Sequence, residues 1–103
     1  MTNLESITAQ RFRALLARNI TPMKMCVFGS RSRGDAGQDA DLDVLVVVET
    51  LDAETDRFIS ECAWEAGFDA GIIVAPLAYS RAGYDREAAS PLIRTIEREG
   101  VAV

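Results

Sequence analysis

Apolar residues along this chain fall alternately at three-to-four-residue spacing and in short continuous runs, which predicts helices and strands in turn. Thr2-Asn3-Leu4-Glu5 has the form of a capping box and opens a helix to about Asn19. Leu4, Ile7, Phe12, Leu15 and Leu16 make up its expected apolar side. Pro22 marks a break, and residues 23–28 read as a strand. Residues 29–37 are a loop with room for one helical turn. The aliphatic run 42–48 is a second strand, and its unbroken apolar character implies burial on both faces.

Asp52 begins the next helix, which ends near Gly67 and carries Phe58, Cys62 and Ala66 at four-residue spacing. Trp64, Phe58 and Phe68 are read as core. Residues 71–79 form a third strand, and Pro76 within it points to an edge or a bulge. Tyr79 and Tyr84 flank the loop that follows, with Tyr84 read as a solvated loop residue. Ser90-Pro91 gives an N-cap with proline at the first helical position, and Gly100 closes that helix. Residues 101–103 add a short last strand. The expectation is a single domain over residues 1–103, an α/β (α+β) fold with a small mixed sheet.

Composition narrows the chemistry. The chain is 49% apolar and 26% charged, ordinary for a globular domain and unlike a disordered one. Its longest aliphatic stretch is far too short to span a bilayer, and MTNLESIT has neither a basic head nor an apolar run. A cytoplasmic location, with Cys26 and Cys62 as buried reduced thiols, is therefore expected. The sequence contains no histidine, which excludes a familiar zinc site, serine–histidine and cysteine–histidine nucleophile pairs, and an imidazole base. Proton transfer would fall to carboxylates, lysine, tyrosine or metal-bound groups. Lys24 is the one lysine, the net charge is −5 and there is no basic block. An extended nucleic-acid surface is not expected, although a local arginine patch could hold a triphosphate.

The informative stretch is VFGSRSRGDAGQDADLDVLVVV, residues 27–48. Gly29-Ser30 ends the first strand-like segment, and ten residues later Asp41 and Asp43 open the second. Residues i and i+2 of a strand face one side, so the two carboxylates project together while Leu42 and Val44 turn into the core. Paired hard oxygens suit Mg²⁺ bound jointly to phosphate, and glycine beside a small hydroxyl residue leaves backbone N–H groups open to phosphate oxygens. Residues 29–34 also spell the start of a P-loop, but Asp35-Ala36 stands where lysine and a hydroxyl residue are needed. Asp39, Asp41 and Asp43 have the spacing of an EF-hand start, but Val44 and Thr50 replace the required glycine and glutamate. An acidic surface loop accounts for Asp35 and Asp39. It accounts poorly for two unpaired acids sharing one face of an apolar segment.

Gly29, Ser30, Asp41 and Asp43, with Arg31, Arg33 and Gly34 between them, resemble the signature of the nucleotidyltransferase superfamily that includes DNA polymerase β. The closest likeness is to its minimal nucleotidyltransferase members. That resemblance implies a Mg²⁺-dependent transfer of a nucleoside monophosphate, AMP from ATP, onto a hydroxyl. Asp41 and Asp43 would be catalytic and hold the metal, and Gly29, Ser30, Arg33 and Arg31 would bind the nucleotide. It further implies an antitoxin role beside a helical HEPN-domain ribonuclease toxin, with a tyrosine of that partner as acceptor. The family's third carboxylate belongs on the third strand, where residues 70–78 contain no acid. Asp69, at the mouth of that strand, is the candidate for the role, with a plain turn residue as the alternative. The rival reading is a non-catalytic antitoxin that binds nucleotide or partner only.

Overall fold

The computed structural model describes residues 1–34, 37 and 40–103, so Asp35 and Asp39 lie outside the described residues. Helix α1 spans Asn3–Leu16, strand β1 Lys24–Phe28, helix α2 Ser30–Arg33 and strand β2 Leu42–Val48. Helix α3 (Ala53–Phe68), strand β3 (Val74–Ser80), helices α4 (Arg81–Arg86) and α5 (Pro91–Glu99) and strand β4 (Val101–Ala102) follow. The strands of the described residues form one sheet in the order β3-β2-β1-β4. β1 runs antiparallel to both β2 and β4, while β2 and β3 are parallel. The sheet is therefore mixed, as the alternation of elements implies.

Side-chain parity on β2 divides the interior. Leu42, Val44, Val46 and Val48 face α1 and α3 and build the larger core with Phe12, Leu16 and Ile59. Leu45 and Val47 point the other way and meet Cys26, Ile93 and Ile96 beneath α5. A central strand buried on both faces has no need of alternation, which is why its aliphatic run is continuous. Pro76 falls in β3, an edge strand, where a missing N–H is tolerated.

Three features depart from the sequence reading. Leu4 and Ile7 of α1 are exposed, and the helix instead buries Glu5, Thr8, Ala9, Phe12, Leu15 and Leu16. Two polar residues displace two apolar ones because both are satisfied: Thr8 Oγ1 donates to the Leu4 carbonyl at 2.8 Å, and Glu5 is ion-paired. Trp64 and Phe68 lie on the outside of α3 rather than in the core, while Phe58 is partly buried. The segment after β3 is the helix α4, capped by Ser80, whose side chain accepts from Gly83 N–H. Tyr84 on that helix is half-buried and donates to Glu97. It stands near Lys24, at the end of β1 opposite Gly29. Among the described residues no helix is long and apolar enough to cross a membrane.

Candidate active site

The turn between β1 and α2 requires glycine. Gly29 has φ 78° and ψ −159°, a region that L side chains essentially never occupy. That conformation turns the chain out of β1 and into α2, which Gly34 ends in the left-handed conformation. Gly29 also has no room for a side chain, because a Cβ there would sit 2.7 Å from Asp43 Oδ2. The reason is the strand register: Phe28 is paired with Asp43, so the residue after Phe28 passes beside that carboxylate. Ser30 follows as the first residue of α2.

Asp41 is exposed and immediately precedes β2, while Asp43 is half-buried within it. Between them Leu42 N–H donates to the Ile73 carbonyl at 2.8 Å, which fixes the start of β2 against the segment entering β3. Burial, and then the neighbouring Asp41 charge, push the Asp43 carboxyl above its ordinary value. Two like charges drawn together with a backbone that approaches without side chain are what a divalent cation and a phosphate would relieve. Mg²⁺ commonly takes one or two carboxylates and completes its shell with phosphate and water, so this donor set fits it.

Arg31 is committed to the protein. Its Nε donates to the Ala40 carbonyl at 2.7 Å and its Nη1 to Glu5 Oε2 at 2.6 Å. Glu5 in turn accepts from Thr2 N–H at 2.7 Å, closing the capping box of α1. Arg31 thus ties α2 both to the first turn of α1 and to the residue before Asp41. Burial alone would raise the Glu5 carboxyl. The hydrogen bonds from Thr2 and Arg31 outweigh it and hold Glu5 below its ordinary value. Arg33 is more open, with Nη1 3.9 Å from Glu99 Oε2. Glu99 reaches it because β4 pairs with β1 and brings the end of α5 to this edge of the turn.

Asp69 is not brought to the pair. It caps the C-terminus of α3 and accepts from Arg11 Nη1 of α1 at 3.1 Å. It lines a groove with Leu4, Ile7 and Ala66 on the helix-covered side of the sheet. Asp43 has the parity of Leu45 and Val47 and faces the other side. The β3 residue paired with Asp43 is Ala75. Among the described residues no group of three or more potential ligating side chains forms. Sequence reasoning missed Glu5 and Glu99. The capping-box spacing marked Glu5 as a helix-start residue, but nothing local shows that an arginine 26 positions away closes over it.

A family model for the nucleotidyltransferase domain matches residues 9–97. The fold is similar to that of a crystal structure of a toxin-antitoxin with AMP-PNP, with a TM-score of 0.65 and 23% identity over 91% of this chain and 70% of that one. It is similar also to a structure assigned to a minimal nucleotidyltransferase, with a TM-score of 0.62 and 29% identity over 99% of this chain and 97% of the other. No curated protein matches the chain.

Proposed function

The chain belongs to the nucleotidyltransferase-domain family, as one of its minimal members, and from that premise we propose that it transfers AMP from ATP onto a hydroxyl of a partner protein. The observation that carries this reading is the approach of Gly29 to Asp43, with Asp41 alongside. Asp41 and Asp43 would hold Mg²⁺. The metal, when bound, would supply Lewis-acid neutralisation of the charge that develops on the transferred phosphate.

The protein's own residues do the rest. Gly29 keeps the space beside Asp43 clear, so phosphate oxygens can meet backbone N–H groups there. Ser30 adds its N–H and hydroxyl to the same phosphates. Arg33 exchanges Glu99 for a phosphate oxygen, a charge-assisted hydrogen bond stronger than a neutral one. Arg31 acts by position, because it anchors the turn to Glu5 and Ala40 and so sets Asp41 in register. In-line transfer depends mainly on such placement and on charge stabilisation.

The acceptor we assign to a protein, with the chain as antitoxin and a HEPN-domain toxin as its partner in a hetero-oligomer. The similarity to a toxin-antitoxin protein with a bound nucleotide analogue supports this assignment. Titration calorimetry with ATP and Mg²⁺ tests the site: wild type binds, and the double variant Asp41→Asn/Asp43→Asn does not. Equal binding by the two would end the proposal.

One observation favours a second reading. Ala75 stands opposite Asp43 where a third acid would serve as base, and Asp69 is turned to Arg11. A protein so built binds Mg²⁺ and ATP and neutralises its partner by contact alone. Labelled AMP supplied as ATP to a co-purified complex separates the two, since only the transferase labels the partner.

A further inference from the structure

α3 and β3 leave between them a groove of about 520 Å³, lined by Trp64, Phe68, Ile73 and Pro76 over the backbone of Gly67 and Gly71. Gly67 is closely packed, since a Cβ there would lie 1.9 Å from the Ile72 carbonyl oxygen. The end of α3 therefore abuts the chain entering β3, and its two large aromatics turn outward. Their rings lie against each other, tilted by 34°, with centroids 4.9 Å apart. Trp64 is 68% exposed, Phe68 65% and Ile73 70%. Apolar residues this large are ordinary when scattered, but a contiguous patch of them marks a surface that something covers.

Three observations identify the occupant. The charges exposed along α3 are Glu54, Asp56, Glu61 and Glu65 against the single base Arg57, and Glu61 and Glu65 flank Trp64. A second copy would press one acidic rim against another, in a chain whose net charge is already −5, which opposes self-association and favours a basic partner. β3 is an edge strand, but Pro76 deprives it of an N–H, so strand addition is disfavoured and a helix laid in the groove fits better. Finally, the Ile73 carbonyl holds the N–H of Leu42, the residue between Asp41 and Asp43. The groove therefore begins one strand away from the carboxylate pair.

We infer that the α3/β3 groove docks an amphipathic helix of a partner protein, apolar on the inserted face and rich in lysine or arginine along its flanks. Docking there sets the partner beside β3 at the Asp41/Asp43 end of the sheet, and its acceptor hydroxyl must reach round that edge strand to the face Asp43 occupies, a consequence that rests on the transferase reading.

Trp64 is the only tryptophan, so its emission reports occupancy of the groove directly. The probes are two synthetic helices of one amphipathic design, leucine with lysine and leucine with glutamate, titrated into the full chain. The leucine–lysine helix should shift Trp64 emission to the blue saturably, and less so at high salt. The leucine–glutamate helix should not. Phe68→Ser and Ile73→Ser, both at exposed positions, should weaken the effect by about tenfold or more, as loss of a buried anchor does. Glu61→Lys/Glu65→Lys leaves the groove intact and should reverse the preference. Equal binding of both helices, binding of neither, or a blue shift on concentrating the protein alone with a dimer in sedimentation would each overturn the inference. Mg²⁺-dependent ATP affinity, measured on the same variants, should equal that of wild type. Absence of helix binding in wild type with its ATP binding intact refutes the groove alone, and absence of ATP binding in wild type refutes the transferase reading alone.

Discussion

The backbone of Gly29 runs so close to Asp43 that a Cβ on it would stand 2.7 Å from the carboxylate oxygen. Conformation and space make the same demand, because φ is +78° at this residue. Gly29→Ala must either strain the turn, at about 1–3 kcal/mol for an L residue in such a region, or push Asp43 away from Asp41. Both routes would damage the proposed phosphate site. We expect the variant to remain folded, with reduced stability in denaturant unfolding, and to lose Mg²⁺-dependent ATP binding by calorimetry. Full ATP affinity in a folded variant would show that the close approach has no part in the site.

Asp43 makes a prediction of opposite sign. Burial first, and the Asp41 charge second, raise its carboxyl above 3.8, so the folded protein holds that proton more tightly than the unfolded chain does. Its contribution to stability is present below the unfolded value and is lost as pH rises through the folded one. At neutral pH the ionised pair is therefore a destabilising feature of the metal-free protein. Asp43→Asn should melt higher than wild type in chelator near pH 7, and the gain should vanish as pH falls toward about 3. The same variant should lose the stabilisation that Mg²⁺ and ATP give wild type. A variant that melts lower than wild type in chelator would contradict this account.

The Glu5–Arg31 pair is the structural counterpart of the site. Both side chains are nearly buried, and the pair links α1 to the turn proposed to hold phosphate. Removing one partner of a buried ion pair leaves the other uncompensated, at about 3–5 kcal/mol. Arg31→Ala should destabilise the fold by that order in urea, whereas Ser30→Ala should cost the fold little and weaken ATP by about 1.5–3 kcal/mol, one hydrogen bond to a charged group. Glu5 is held below 4.5, so its stabilisation is present above that pH and is lost as pH falls through its folded value. Wild type should accordingly lose stability in that acid range more steeply than Glu5→Gln.

What the sequence made legible follows the range of the forces involved. The turn at Gly29 and the caps at Thr2, Asp52 and Ser90 are set within a few residues, and each can be read from spacing. The position of Asp69 is not local. It depends on which helix α3 packs against, and Arg11, 58 residues earlier, decides it. Glu5 was readable as a cap but not as the partner of Arg31, for the same reason. Trp64 and Phe68 mislead because size and apolarity argue for burial, while Gly67 brings the end of α3 against Ile72 and leaves the rings outside.

With an acidic chain and no basic tract, unselected DNA or RNA should bind weakly. Affinity tighter than about micromolar in roughly 150 mM salt, measured by fluorescence anisotropy, would contradict a protein acceptor.

Asp69 decides how the third carboxylate is to be understood. Its partner is Arg11, both side chains are well exposed, and the pair lies on the face of the sheet that α1 and α3 cover. Asp43 projects from the opposite face beside Ala75. An exposed ion pair contributes about 0.2–1 kcal/mol, so Asp69→Asn should melt within a few degrees of wild type. It should bind ATP with Mg²⁺ as wild type does, and any transfer of labelled AMP to a partner should proceed at the wild-type rate. Ala75→Asp is the complementary change, since it sets a carboxylate next to Asp43 on the neighbouring strand. If a missing base limits the reaction, that variant should raise the rate of labelling by up to about 10²–10⁴, the usual contribution of general base catalysis. Loss of transfer in Asp69→Asn with ATP affinity intact would instead return the catalytic role to Asp69, and would require α3 to move away from α1 during the reaction.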